Sequence, residues 1–208
     1  MCIPLWFGFG PHSEDGYGLS PSKSPSKVGA VAMVVMFLGW IVELVAITTI
    51  YWAVFTWLTV DTAQRRITIT EAHGLWKYCS KFIGLFVRCE HSPGWLVAVR
   101  ALNVIGMMFG SGALVFMGLF TFLHSEKWNK IFKSSALSSA IFSGVLILIG
   151  AIVYGASVSQ GKAPLPHKPV GDVQYVLSWS FALSIIAAIL FVISGVIMGF
   201  ARKPRMIE

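Results

Sequence analysis

The sequence predicts an all-α membrane protein: a four-helix transmembrane bundle with a small extracellular antiparallel β-sheet in its first outer loop. Three observations predict it. Of the 208 residues, 56% are hydrophobic and 12% charged, where a soluble domain carries about a quarter charged residues. Four apolar stretches each run for about 20 residues or more, enough for a helix to cross roughly 30 Å of hydrocarbon. The loop after the first stretch alternates apolar and polar residues with the period of a strand.

The apolar stretches cover residues 28–50, 95–123, 135–158 and 175–201. A helix satisfies its own backbone where no water is available, so each stretch reads as a helix. Four crossings put both termini on one side. No basic residue precedes the apolar run near the N-terminus, so the first helix is expected to act as an uncleaved signal anchor. Residues 1–27 read as a flexible cytoplasmic tail containing Ser20-Pro21-Ser22-Lys23 and its near-repeat Ser24-Pro25-Ser26-Lys27. The membrane domain spans 28–203, and 204–208 forms a cytoplasmic C-terminus. The 124–134 segment reads as a short basic loop. The second outer loop, 159–174, contains Pro164, Pro166 and Pro169 and reads as irregular.

Within the first outer loop, 51–94, the run Ile67-Thr68-Ile69-Thr70 alternates as a strand does. The β-branched and aromatic stretch 52–60 offers a partner, and 82–87 a third strand. Cys79 and Cys89 flank that third strand, ten residues apart, a spacing that suits a disulfide across a hairpin. A disulfide persists only in an oxidising compartment, which would place the loop outside. The alternative is a pair of free thiols in a cytoplasmic loop. No paired ligand spacing supports a zinc site at His73 and His91. Half of the 16 Lys/Arg residues fall inside if the termini are cytoplasmic; they lie on the shorter segments, so their density is higher there.

The segment Gly74-Leu75-Trp76-Lys77-Tyr78-Cys79, followed by Cys89, resembles the signature of the claudin superfamily. Trp52 fits the leading Trp of that signature, and Arg100 resembles the Arg that opens the second helix in claudins. The resemblance covers roughly residues 28–203. It implies four helices and a membrane-top sheet pinned by a Cys79–Cys89 disulfide. Relatives include epithelial membrane proteins, peripheral myelin protein, and gamma-type auxiliary subunits of calcium channels and AMPA receptors. Gly150-Ala151-Ile152-Val153-Tyr154 and Ser178-Trp179-Ser180-Phe181 resemble stretches of the gamma-type subunits, and Ser194-Gly195-Val196-Ile197 resembles the fourth helix of the epithelial membrane proteins. The final Met206-Ile207-Glu208 lacks the hydrophobic last residue that PDZ scaffolds bind.

Several residues stand out on physical grounds. Glu43 sits inside the first helix, where an acid is costly and marks a function by default. Arg100 and Asn103, near the outer end of the second helix, are at a depth to satisfy it. Leu75 and Trp76 are expected to wedge the sheet into the lipid interface, and Tyr51, Trp52, Trp57 and Trp95 to join an outer aromatic belt. Gly106 and Gly110, and Gly195 and Gly199, are four apart and permit close helix approach, within the bundle or against another membrane protein.

No phosphate-binding loop, nucleophile constellation or zinc motif is present, so neither enzymatic chemistry nor a cofactor or metal is expected. The +7 net charge is scattered through loops and builds no nucleic-acid stripe; anionic lipid headgroups explain it better. The expected function is cell–cell or lateral contact through the first outer loop, at a junction or barrier of the plasma membrane. The partners would be lipids and copies of itself or related claudin-like proteins in cis or trans. The alternative is an auxiliary subunit that modulates the gating or trafficking of an ion channel or neurotransmitter receptor.

Overall fold

A computed structural model describes residues 20–21, 26–60, 66–82, 85–91, 94–124, 126–161 and 173–201. The chain order is strand β1 (Ser20–Pro21), helix α1 (Lys27–Thr48), strands β2 (Ala53–Val60), β3 (Arg66–His73), β4 (Lys77–Phe82) and β5 (Leu85–His91), helix α2 (Trp95–Phe122), strand β6 (Leu123–His124), helix α3 (Glu126–Ser159), strand β7 (Gln174–Leu177) and helix α4 (Trp179–Phe200). All four helices are long and apolar enough to cross a membrane.

Each helix buries small residues at its close contacts and leaves many of its large apolar ones outside, though Met36, Met117, Ile147 and Phe191 are buried with them. On α1, Ala32, Gly39 and Ala46 face inward, while Val31, Phe37, Leu38 and Ile41 are exposed. That inversion of a soluble bundle follows from the solvent. Lipid tails receive Leu and Phe as readily as a core does, and close backbone approach supplies the packing energy instead. Ser26 caps α1, its Oγ accepting from Gly29 N at 3.3 Å. Ser194 Oγ donates to Ala32 O at 2.7 Å, and Ser143 Oγ to Gly106 O at 2.6 Å, tying α4 to α1 and α3 to α2.

At the end of the bundle where α1 finishes and α2 starts lies a five-stranded antiparallel sheet in the order β5-β4-β3-β2-β7. β2 and β3 pair from Ala53 opposite His73 to Val60 opposite Arg66. Alternation sends Phe55, Trp57, Ile69, Glu71 and His73 to the buried face, while Leu58 and Thr68 are exposed. β4 and β5 place Cys79 opposite Cys89. The loop between α1 and α2 therefore holds four strands; the segment expected as one strand at 82–87 is split between β4 and β5.

Three element boundaries depart from the sequence expectation. Helix α3 begins at Glu126 and not at 135, so most of the expected basic loop is helical. No Gly or Pro interrupts that segment; its lysines mark the edge of the hydrocarbon, not the end of the helix. Helix α4 begins at Trp179, because Gln174-Tyr175-Val176-Leu177 is a strand that completes the sheet against β2. Hydropathy cannot separate an apolar edge strand from the helix that follows it. Helix α1 ends at Thr48 and not at 50. Most of the N-terminal tail, the centre of the second outer loop and residues 202–208 lie outside the described residues, though Ser20 and Pro21 pair with His124 and Leu123.

Candidate functional site

An α-helix ends with four carbonyls that have no partner within it. Those of α1 emerge where the chain turns up into the sheet, and the motif residues meet them. Trp52 Nε1 donates to Ala46 O at 2.7 Å, and Trp76 Nε1 donates to Ile47 O at 2.8 Å. Thr48 Oγ1 lies 2.8 Å from Leu44 O and 3.2 Å from Val45 O. The two tryptophans thus serve as caps contributed by residues beyond the helix, one just after it and one from the turn between β3 and β4.

Gly74 makes this arrangement possible. A Cβ there would lie 2.6 Å from Ile50 Cα and 2.8 Å from Thr49 O. Both atoms are backbone, so the chain after β3 presses directly on the exit of α1. Leu75, next in line, is fully buried in the core and does not reach the interface as expected. Its carbonyl accepts from Arg100 Nε on α2. The Arg100 guanidinium also lies 5.3 Å from the centre of the Trp76 ring, a favourable cation–π arrangement. Trp76 itself stays 45% exposed: its N–H is anchored and its ring is presented outward.

Trp52 links three elements. Its N–H donates to His73 O of β3 at 3.1 Å, and its carbonyl accepts from Ser178 N, just before α4, at 2.9 Å. Its indole reaches α1. Around it, the Tyr154 ring packs edge-on at 5.0 Å and Phe181 at 6.1 Å, with Trp95 against Tyr154 at 5.9 Å. Tyr154 Oη donates to His73 O at 3.1 Å. Trp52 and Trp57 are consequently core residues and not members of a lipid-facing belt. Beneath the sheet, His73 Nε2 lies 3.1 Å from Glu71 Oε2, and Phe55 stacks edge-on against the imidazole at 4.7 Å. Neither Glu71 nor His73 was singled out as a site from the sequence. Their parity with Ile69, two and four residues on, is the signal that places them on the same face.

The Glu43 carboxyl is buried, as its oddity suggests, but its partner is different. Ser184 Oγ on α4 donates to Glu43 Oε1 at 3.2 Å. Asn103 Nδ2 donates to Val99 O of its own helix at 2.8 Å and sits where a Cβ on Gly150 of α3 would be 2.7 Å away. Arg100 is engaged by Leu75 and Trp76. The expected pairing of Glu43 with Arg100 or Asn103 is therefore not formed. Ser184→Ala is expected to destabilise the protein by about 1–3 kcal/mol by stranding a buried carboxyl oxygen. Adding Glu43→Leu should recover most of that loss, whereas Glu43→Leu and Arg100→Leu should act additively. Unfolding midpoints in detergent for the two double-mutant cycles decide between the partners; coupling of Glu43 to Arg100 and not to Ser184 would refute the assignment.

The glycine pairs face inward. A Cβ on Gly106 would lie 2.7 Å from Ile147 Cγ1, and one on Gly110 3.1 Å from Ser143 Oγ. On α4, Gly195 would meet Ile141 at 3.1 Å and Gly199 would meet Leu137 at 3.0 Å. All four are occupied by α3 or α4 of the same chain. Cys79 and Cys89 face one another across β4 and β5 in backbone register. Directly opposed residues of an antiparallel pair have Cα atoms about 4.5–5.5 Å apart, inside the span of roughly 4.4–6.8 Å that a disulfide bridges. Among the described residues, no group of three or more His, Cys, Asp or Glu side chains is placed to hold a metal.

A membrane-spanning bundle of four helices, with a sheet docked on it by a Trp/Gly-Leu-Trp/Arg joint, defines a class of multi-pass membrane proteins. The chain belongs to the PMP-22/EMP/MP20/Claudin family, whose sequence model matches residues 29–198. It is similar to the voltage-dependent calcium channel gamma-1 subunit of Bos taurus, 24% identical over 208 aligned residues that cover 85% of this chain and 89% of that protein. The gamma-1 subunit of Oryctolagus cuniculus is 23% identical over 219 residues, covering 90% of this chain and 93% of that one.

Proposed function

We propose that this protein is an auxiliary subunit of a voltage-dependent cation channel, docking beside the pore-forming subunit in the plasma membrane and shifting its gating or trafficking. The observation that carries this reading is the extent of the similarity to the two calcium channel gamma-1 subunits. It runs through nearly the full length of both partners in each comparison and so takes in the loops as well as the helices. The bundle is consistent with lateral docking. Its small-residue stripes are used internally, leaving continuous outer faces of Val, Ile, Leu and Phe. In this reading the protein acts by contact and not by catalysis, both termini are cytoplasmic, and the Cys79–Cys89 bridge pins the outer sheet.

The test is co-expression of the tagged chain with a voltage-dependent calcium channel's pore-forming subunit. Co-purification in mild detergent, together with a shift in the voltage dependence or amplitude of the current, is expected. No capture and no change in current would overturn the reading. Enrichment only at borders between two expressing cells would instead favour adhesion through the outer sheet. The bridge is tested by peptide mapping without reductant: one species linking the Cys79 and Cys89 peptides is expected, and alkylation of both thiols in the unreduced protein would exclude it.

A further inference from the structure

The repeat Ser20-Pro21-Ser22-Lys23 and Ser24-Pro25-Ser26-Lys27 is used neither by the fold nor by the proposed function. Each copy is a serine followed by proline, with a lysine three residues after the serine. A kinase that reads Ser-Pro exploits the missing N–H of proline and the extended backbone that proline imposes on the residue before it. The lysine offers a charge-assisted contact. The third Ser-Pro pair of the chain, Ser92-Pro93, has Trp95 in the place of that lysine. Ser22 and Ser26 are each followed by lysine and not by proline.

The two copies are alike in sequence and differ in the fold. In the first, Ser20 and Pro21 form the extended strand β1, antiparallel to Leu123 and His124 where α2 passes into α3. That sheet has two strands, so among the described residues the other edge of β1 carries no strand and its backbone groups remain open to a second chain. In the second copy, the residues after Pro25 are committed to a helix. Ser26 is buried and caps α1, its Oγ accepting from Gly29 N at 3.3 Å, and Lys27 is the first residue of that helix. A kinase can read serine, proline and lysine of this copy as one extended run only after the first turn of α1 has opened. Both copies lie at the end of the bundle opposite the sheet, where α1 begins and α2 finishes.

We propose that Ser20 is a phosphorylation site for a Ser-Pro-directed protein kinase, and that the fold selects it over Ser24. Ser20 Oγ attacks the γ-phosphorus of Mg-ATP. The Oγ–P bond forms as the bond from that phosphorus to the bridging oxygen of ADP breaks; the hydroxyl proton passes to the kinase's catalytic base and ADP leaves. The product carries about two negative charges at neutral pH, set opposite His124 and two residues before α3 begins. ATP reaches the site only with the termini cytoplasmic, so the assignment rests on that part of the proposed function.

The purified full chain in neutral detergent is incubated with a Ser-Pro-directed kinase and Mg-ATP, and phosphopeptides are mapped with time. A synthetic peptide of residues 17–30 is the unfolded reference. The peptide should be labelled at Ser20 and Ser24 alike. In the folded chain Ser20 should be labelled as in the peptide, and Ser24 about fivefold more slowly, the factor that undoing a serine-capped helix end imposes. Ser20→Ala should remove the fast labelling. Absence of phosphate from Ser20 in the chain overturns the proposal, whether or not the peptide is labelled, and so does labelling of Ser24 as fast as Ser20. Sealed right-side-out membrane vesicles separate the site from its placement: Ser20 should be labelled only after permeabilisation. Labelling without permeabilisation overturns the cytoplasmic placement, and with it phosphorylation in the cell, while the detergent result still reports on the strand itself.

Discussion

Replacing Gly74 with Ala is expected to cost about 3 kcal/mol of stability, an overpacking penalty at the upper end of its usual range. The reason lies in what surrounds the position. The added Cβ would stand 2.6 Å from Ile50 Cα and 2.8 Å from Thr49 O, and neither atom can swing aside as the tip of a side chain can. The backbone of the α1 exit must move, and with it the Trp52 and Trp76 caps on Ala46 O and Ile47 O. Gly74 does not need a left-handed backbone; among the described residues the glycine with positive φ is Gly161. The effect is therefore one of contact alone. Gly118→Ala on α2 provides the control, since nothing lies within 4 Å of its Cβ position. It should be neutral or stabilising by up to about 1 kcal/mol, as for any helix-interior glycine. Thermal unfolding midpoints of the two variants in detergent check the contrast. Similar midpoints for both would mean that the close approach of the turn to α1 is not what secures the sheet.

Trp52→Ala should be at least as damaging, at about 3–5 kcal/mol, the usual cost of emptying a large aromatic site in a core. Two separable losses contribute. Ala46 O loses the indole N–H and keeps only the longer bond from Thr49 Oγ1, at 3.1 Å, and the ring leaves its packing against Tyr154 and Phe181. Trp52→Phe separates them, because it keeps most of the ring but removes the indole donor; with Thr49 Oγ1 still bonded to Ala46 O, that lost hydrogen bond should cost about 0.5–1.5 kcal/mol. The damage should be local to the outer end. Far-UV circular dichroism should show helix content near that of the parent, while limited proteolysis should cut between β2 and β5 much faster. Trp179, exposed at the start of α4, is the matched control, and Trp179→Ala should leave proteolysis unchanged. Loss of the helical signal together with the sheet would show that bundle and sheet fold as one unit, and not as a bundle with a sheet secured to it.

Such a joint gives the family motif a physical meaning that its letters do not contain. Two tryptophans cap α1, a glycine permits contact between two backbones, and an arginine on α2 holds the turn between them through Leu75 O and the face of Trp76. Trp52 acts on a carbonyl six residues back, whereas Gly74, Trp76 and Arg100 act on neighbours more than 20 residues away. The sheet is consequently set on the bundle at all four helices, α1 through the tryptophans, α2 through Arg100, α3 through Tyr154 and α4 through Ser180 N on Tyr51 O and Phe181 against Trp52.

What the sequence determined by itself was whatever depends on local pattern. Four helices follow from apolar length, because a membrane span needs about 20 such residues whatever its neighbours are. The strand at Ile67–Thr70 follows from its period of two, and the spacing of Cys79 and Cys89 pointed to opposite arms of a hairpin, where the register places them. The motif residues were legible as a set, though not in their roles. Tertiary structure alone decided the partners. Glu43 had donors of suitable depth on α2, yet it bonds Ser184 on α4, because α4 packs against that side of α1 and Arg100 is held elsewhere. Gln174–Leu177 reads as the start of a helix until β2 offers it an edge to pair with. The lysines of α3 read as a loop because charge marks where hydrocarbon ends, and a helix does not have to stop there. Hydropathy and periodicity are properties of a segment, whereas a hydrogen-bond partner or a strand neighbour is a property of which segments meet, and that is settled only when the whole chain packs.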